Sequence, residues 1–300
     1  MPYVGEFAAL TTAVLWSFTS IFFTSASRRI GSYYVNKFRI PFAAFFLTMM
    51  LLLTTGRLLP DGIPANSYYY LILSGIIGLS IGDLFLFSAF LVIGTRLTLL
   101  IFAISPIIAS VIAWITLGEK LGILAVTGII ITILGIAWVT LERQKENGIA
   151  IKPGREIGLG VILAVGGAAC QAAGLVLAKA GMGDSLDPLP ATFIRMVAAA
   201  IAIWLYGLIK RDTRETFEKI KDRKAMLLAI GGSICGPFLG VWLSLIAVRH
   251  AETGVVAAIM SIAPVLVIPL VIIIYHEKVS PRAILGAIIA AGGVTLLFVS

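Results

Sequence analysis

Charge is scarce in this 300-residue chain: Asp, Glu, Lys and Arg make up 13% of it, against about 25% in an ordinary soluble domain. With 59% apolar residues and a mean hydropathy of +1.04, a water-facing surface would expose large apolar patches, which soluble monomers avoid. A soluble enzyme is excluded on that ground, and so is a nucleic-acid binder despite the net charge of +8. Cysteine is equally sparse. Cys170 and Cys235 stand alone in apolar runs, which excludes a disulfide framework and a thiolate metal site. Histidine occurs only as His250 and His276, and no H-E-x-x-H motif or other catalytic constellation forms around them. The chain has no G-x-x-x-x-G-K-[ST] loop, so ATP is not its internal energy source. It also lacks the period-two alternation of a transmembrane β-barrel. The opening Met-Pro-Tyr-Val-Gly-Glu carries no basic n-region of a cleavable signal peptide, so the first apolar run is expected to be retained.

What is present is apolar sequence in long runs. A bilayer core about 30 Å thick takes about 20 apolar residues per helix. Ten stretches qualify, at roughly 6–27, 33–55, 69–93, 97–117, 121–141, 157–180, 189–209, 225–248, 254–275 and 281–299. The expected fold is therefore an all-α integral membrane protein of ten transmembrane helices, with no room for a soluble domain. Two charged connectors separate the runs, one over 142–156 and one over 210–224. The second is expected as a solvated loop supported by charge pairs. Its alternative is a short amphipathic helix on the membrane, since Phe217 and Ile220 are three apart.

The chain also repeats itself. An offset of 158 aligns residues 78–141 with 236–299 without a gap, with 15 of 64 positions identical. Among them are Gly78/Gly236, Gly82/Gly240, Pro106/Pro264, Glu119/Glu277, Lys120/Lys278, Gly128/Gly286 and Gly135/Gly293; an offset of 156 pairs Arg39 with Arg195. Agreement at Pro, Gly, Glu and Lys is hard to reach by chance among apolar residues. The expected halves are 1–147 and 148–300. Each holds five spans, an odd number, so the second enters the membrane from the opposite side, as in the inverted repeats of secondary transporters.

The stretch from Ser105 to Val139 has a mid-span Pro106, Leu117-Gly118-Glu119 at the span end and a glycine-punctuated helix after it. It resembles the pattern of the drug/metabolite transporter superfamily, in its ten-span EamA-type branch. The second half repeats the pattern from Ala263 to Leu297, with Tyr275-His276 replacing Leu-Gly; Trp16 and Arg39 match the family as well. The resemblance covers nearly the whole chain. It implies a secondary active transporter of the prokaryotic cytoplasmic membrane, without cofactor. Export of small metabolites such as amino acids is the first reading and multidrug or cation efflux the second. A membrane-embedded enzyme is the rival of a different class, and a structural membrane protein a third. The family pattern does not define the substrate.

Function is expected where polar chemistry interrupts the spans. Pro106 and Pro264 fall near the middle of spans 4 and 9, where a proline frees a backbone carbonyl that only protein or cavity water can satisfy. Asp83 is the acidic residue well inside a span. It either lines the cavity, binding a substrate amine or carrying a coupling proton, or forms an ion pair with Arg39 or Arg195. Each arginine is equally a candidate to hold a substrate carboxylate or phosphate. Trp16, Ser105, Gln171 and Trp242 complete the candidate substrate-binding set, and no metal site is expected. Gly232, Gly236 and Gly240 with Gly78 and Gly82 are read as a sliding or static interface. The faces Gly128/Thr132/Gly135 and Gly286/Ala290/Gly293 fit contacts between halves or between the subunits of a homodimer. Glu119-Lys120 and Glu277-Lys278 are assigned to the starts of their own following spans. Loops after odd-numbered spans hold 16 basic residues and the opposite face 4. Short cytoplasmic loops are the basic ones, which puts both termini outside the cytoplasm, whereas the family resemblance implies termini inside.

Overall fold

The computed structural model describes residues 3–147, 155–183, 185–263, 265–266, 270, 273 and 280–299. All regular structure among the described residues is helical. In a bilayer each backbone N–H and C=O must be satisfied within its own segment or in a closed barrel, and these apolar runs take the helical solution. The elements are α1 (Val4–Ile30), α2 (Ser32–Thr55), α3 (Ala65–Ser74), α4 (Gly82–Phe102), α5 (Ser105–Leu117), α6 (Ile123–Asn147), α7 (Arg155–Met182), α8 (Pro188–Ile209), α9 (Thr213–Ile220), α10 (Arg223–Ser233), α11 (Val241–His250), α12 (Thr253–Met260) and α13 (Pro281–Leu297). Among the described residues, six helical segments are long and apolar enough to cross a membrane: Val4–Ile30, Ser32–Thr55, Ala65–Ala89, Ile157–Met182, Pro188–Ile209 and Arg223–His250. The expected spans at 97–117, 121–141 and 281–299 correspond to shorter apolar helices, Ser105–Leu117, Ile123–Trp138 and Ile284–Leu297. The run at 254–275 begins with α12 and continues largely outside the described residues. Leu53, Ile123 and Ile209 are more than three-quarters exposed, an apolar exterior suited to lipid. The protein is an integral multi-pass membrane protein.

Two seven-residue π-helical segments interrupt the helices, Gly75–Ile81 between α3 and α4 and Ile234–Gly240 between α10 and α11. They stand 159 residues apart, within one residue of the repeat offset. A π turn widens the helix and is frequent at functional positions. In the second segment Pro237, which has no N–H to give, adds a local cause.

One sequence boundary needs correction. Residues 94–96 were expected to separate spans 3 and 4, yet the chain stays helical through them and first turns at Ala103-Ile104. Gly94-Thr95-Arg96 contains no proline, so nothing forces the helical bonds to break. A straight α4 would put Asp83 and Phe102 about 28 Å apart. Both line the same cavity, so the segment bends between them and doubles back. The reversal is built as a bend within a helix instead of a loop. Pro106 then enters as the second residue of α5, a first-turn position where its missing N–H costs nothing. It marks the helix start after the break and does not kink a span.

The two halves interlock. The main packing partners are α6 with α13, α4 with α7, α1 with α10 and α11, α2 with α8, and α5 with α12, each pairing an element of the first half with one of the second. In lipid, such contacts depend on close packing of small residues more than on apolar burial. The α6/α13 seam is packed closely: a Cβ on Gly135 would lie 2.4 Å from the Ala290 backbone nitrogen, and one on Gly293 2.4 Å from Thr132 Oγ1. These glycine faces join the halves. The glycines of span 8 act differently from a bare backbone contact. Gly232, Gly236 and Gly240 receive the side chains of Phe23, Thr19 and Trp16 from α1. Gly78, by contrast, meets the Gly174 backbone of α7 directly.

Candidate functional site

A cavity of about 200 Å³ lies where the π segments, α1, α2, α4, α7 and α8 converge. Its polar groups are Trp16 and Thr19 from α1, Arg39 from α2, Asp83 from the first turn of α4 and Gln171 from α7. Leu79 comes from the first π segment, Gly236 and Pro237 from the second, and Phe102 and Met196 add apolar wall. Both halves therefore supply the lining. Repeat-related positions line it together, Ile40 with Met196 and Leu79 with Pro237.

Arg39 and Asp83 are its electrostatic centre. The Arg39 Nη2 group donates to Asp83 Oδ2 as an ion pair, and both side chains are about one-eighth exposed. Arg39 Nε donates to Asn36 Oδ1 at 2.6 Å. The rings of Phe23 and Phe87 lie 5.6 and 5.7 Å from the guanidinium carbon, adding cation–π attraction on its faces. Of the roles open to Asp83 in the sequence, the ion pair with Arg39 is the one made here. It leaves further carboxylate and guanidinium valences beside Trp16 and Gln171.

Of the sequence-derived candidates, Trp16, Arg39, Asp83 and Gln171 come together. Ser105 is buried and donates to the Ala168 carbonyl of α7 at 3.3 Å, which is a packing role. Trp242 stacks on Phe238, with ring centroids 6.3 Å apart and planes at 19°, and does not line the cavity. Arg195 lies in α8 next to the lining residue Met196. It is 4% exposed, and among the described residues its Nε and Nη1 find no hydrogen-bond partner. Pro106 is buried at the start of α5 without reaching the cavity, and Pro264 lies outside the described residues. Thr19, missing from the candidate set, lines the cavity with its hydroxyl turned back to the Leu15 carbonyl, 2.9 Å away.

Two further networks lie at opposite ends of α1. Near its N-terminal end, Glu119 Oε2 accepts from the Thr253 backbone N–H at 2.7 Å and Oε1 from the Thr253 hydroxyl at 2.8 Å. Lys179 Nζ sits 2.8 Å from Glu119 Oε1 and donates to the Ala251 carbonyl at 2.7 Å. Glu119 thus caps α12 in the other half, not the helix that follows it in sequence, and its charge partner is Lys179 in place of Lys120. Glu252 stands beside this cluster; burial, then the Glu119 carboxylate, raise its carboxyl above the usual range, and Lys179 partly opposes them.

Near the other end, Lys37 is only 2% exposed. Its ammonium donates to Asp212 Oδ1 at 2.5 Å and to Thr216 Oγ1 at 2.8 Å, and lies 5.0 Å from the Trp204 ring centroid. The Tyr33 hydroxyl donates to Asp212 Oδ2 at 2.5 Å. Burial pushes the Asp212 carboxyl up, but the hydrogen bonds from Lys37 and Tyr33 outweigh it and hold the group below its usual value. Lys37 sits early in an apolar run, where a snorkelling lysine is the ordinary expectation. Its partner arrives from 175 residues away, which no local pattern announces.

The sequence profile of the EamA-like transporter family matches residues 3–141 and again residues 158–299. The chain belongs to the EamA-like transporter family. An uncharacterized transporter of Clostridium kluyveri is 30% identical over 144 residues, a stretch covering 48% of this chain and 46% of that protein. The alignment thus spans less than half the length of that relative. A solved crystal structure superposes with a TM-score of 0.75 at 16% identity, over 98% of this chain and 96% of that one; this is a likeness of fold alone. That one family profile fits both halves agrees with the repeat seen in the sequence.

Proposed function

We propose that this EamA-like transporter is a secondary active exporter of small metabolites, amino acids first among them. It works by alternating access around the cavity between residues 1–147 and 148–300, read as two inverted five-helix repeats within ten spans. The observation that carries this reading is the Arg39–Asp83 pair inside a cavity lined from both halves. A zwitterion has one group for each partner. Its carboxylate takes the guanidinium, its ammonium takes Asp83, and Trp16, Gln171 and Phe102 surround the rest. Substrate entry would trade an internal ion pair for two intermolecular ones, so binding need not leave a buried charge alone.

Asp83 is also the candidate carrier of a coupling proton, since a carboxylate in a low-dielectric site exchanges between paired and protonated forms. The two π segments wall the cavity and are the elements best suited to change register as the halves rock. The basic face is assigned to the cytoplasm of a prokaryotic cell, with both termini outside. Multidrug or cation efflux is the second reading. Asp83 with Trp16 and Phe102 favours it, as a carboxylate with aromatic walls holds cations. In either case no bond of the substrate is made or broken, and the protein is not assigned an enzymatic step.

The test is counterflow in proteoliposomes preloaded with candidate amino acids or organic cations. Wild-type protein is expected to exchange a subset of one panel, and Asp83→Asn to lose most of that exchange together with its pH dependence. Unchanged rates and pH dependence in Asp83→Asn would remove the assigned role of Asp83.

A further inference from the structure

The connector 210–224 stands outside the cavity, and the spans engage only part of it. Its centre is α9, a helix lying between the ends of α8 and α10. One side of α9 is anchored: Thr216 is fully buried against Lys37 and Asp212. Another side is open, with Phe217 58% and Ile220 40% exposed one helical turn apart. The adjoining lipid-facing residues set the depth. Ile209, at the end of α8, and Leu227, in the second turn of α10, are 80% and 69% exposed, so the apolar side of α9 sits at the rim of the apolar exterior.

The charges of this segment are divided unevenly. Its acids are occupied internally: Asp212 by Lys37 and Tyr33, Asp222 by Arg29 at 2.9 Å and the Ala225 N–H, Glu215 by the Tyr34 hydroxyl, and Glu218 by Arg214 at 3.5 Å. Lys210 lies over the Tyr33 and Tyr206 rings and Lys219 over the Tyr34 ring. Arg211, Lys221, Arg223 and Lys224 form no ion pair among the described residues, and all four are exposed. Four cations without counter-ions therefore flank an apolar face at the membrane rim. That pattern matches a lipid with an anionic headgroup, whose phosphate meets the cations while its acyl chains meet Phe217 and Ile220.

We propose that α9 and its flanks form a binding site for anionic phospholipid. Headgroup phosphates are held by Arg211 at one end of α9 and by Lys221, Arg223 and Lys224 at the other, and Phe217 and Ile220 enter the acyl region. Occupancy bears on the cavity through a short path. Lipid held on α9 braces Thr216 against Lys37, which stands two residues before Arg39 in α2.

The experiment uses the full-length protein in phosphatidylcholine mixed micelles, titrated with phosphatidylglycerol. Bound lipid is counted by native mass spectrometry, and the thermal unfolding midpoint is followed in parallel. Expected is retention of phosphatidylglycerol over phosphatidylcholine with a rise in midpoint, weakened roughly fivefold for each of the four charges removed. The quadruple variant R211Q/K221Q/R223Q/K224Q should lose the preference. The control R57Q/K120Q, on the opposite face, should keep it, and Phe217→Ser should bind more weakly with its charges intact. If the quadruple variant does not fold, K221Q/K224Q with both arginines retained is expected to show the intermediate loss. Equal responses of the wild-type and charge-depleted proteins, or no preference between the two lipids, would overturn the proposal. So would full stabilisation by soluble glycerol phosphate, which would make this a site for free phosphate. None of these readouts depends on transport, so the outcome is independent of the proposed substrate.

Discussion

Arg39 and Asp83 show how a few charges organise a chain that is mostly apolar. Neither can stand ionised in the membrane interior without a partner, and removing one strands the other, at about 3–5 kcal/mol for a buried pair. Arg39→Gln and Asp83→Asn are each expected to lower stability in detergent strongly, and the double variant to cost clearly less than their sum. A double-mutant cycle on thermal or chemical unfolding measures this, and simple additivity would show that the two side chains do not depend on each other. Lys37 makes the same argument at the membrane end. Lys37→Met leaves Asp212 with Tyr33 as its remaining strong donor and is expected to lose roughly 3 kcal/mol. Because the Asp212 carboxyl is held below its usual value, its contribution is fully present above the ordinary carboxylate range near about pH 4. It fades as pH falls through the lower, folded value. Unfolding midpoints measured between pH 3 and 7 should therefore show wild-type protein losing its advantage over Asp212→Asn only at the acid end.

At the scale of elements, the α6/α13 seam brings backbone close to backbone, and the glycines of these helices differ sharply in what they tolerate. Gly135→Ala drives a methyl into the Ala290 backbone and is expected to destabilise by about 1–3 kcal/mol. Gly292→Ala, one residue before the seam glycine Gly293 but turned away from α6, points into open space and should be neutral or slightly stabilising. Unfolding of the two variants side by side separates seam glycines from incidental ones. The helices were legible in the sequence because lipid demands long apolar runs, and the α6/α13 seam because small residues recur at helical spacing. That Trp16, Arg39, Asp83 and Gln171 line a cavity was legible because polar groups inside such runs are costly. The bend within Gly82–Phe102 was not, since Gly94-Thr95-Arg96 reads as a loop by composition while the backbone prefers unbroken helical bonds. The π segments were hidden as well; the glycines mark their place but not the change from i+4 to i+5 bonding. Glu119 was assigned to its own helix because the sequence shows neighbours along the chain, whereas its partners Lys179 and Thr253 come from the other half.

For the whole molecule, the proposed transport cycle rests on halves that interlock and on a cavity lined from both. With 16 basic residues on the loops of one face and 4 on the other, both termini are expected outside the cytoplasm. A C-terminal reporter active only in the cytoplasm should be silent and one active only outside should be active; the reverse pattern would invert the assigned orientation without affecting the cavity. The central claim is that the cavity holding Arg39 and Asp83 is the transport site of this EamA-like protein. The most direct measurement is substrate exchange in proteoliposomes by wild-type protein, Asp83→Asn and the Ser105→Ala variant, whose side chain packs on α7 away from the cavity. Saturable exchange by wild-type protein and Ser105→Ala, lost in Asp83→Asn that is still folded, is the predicted result. Saturable exchange that Asp83→Asn supports at the wild-type rate and pH dependence would contradict it.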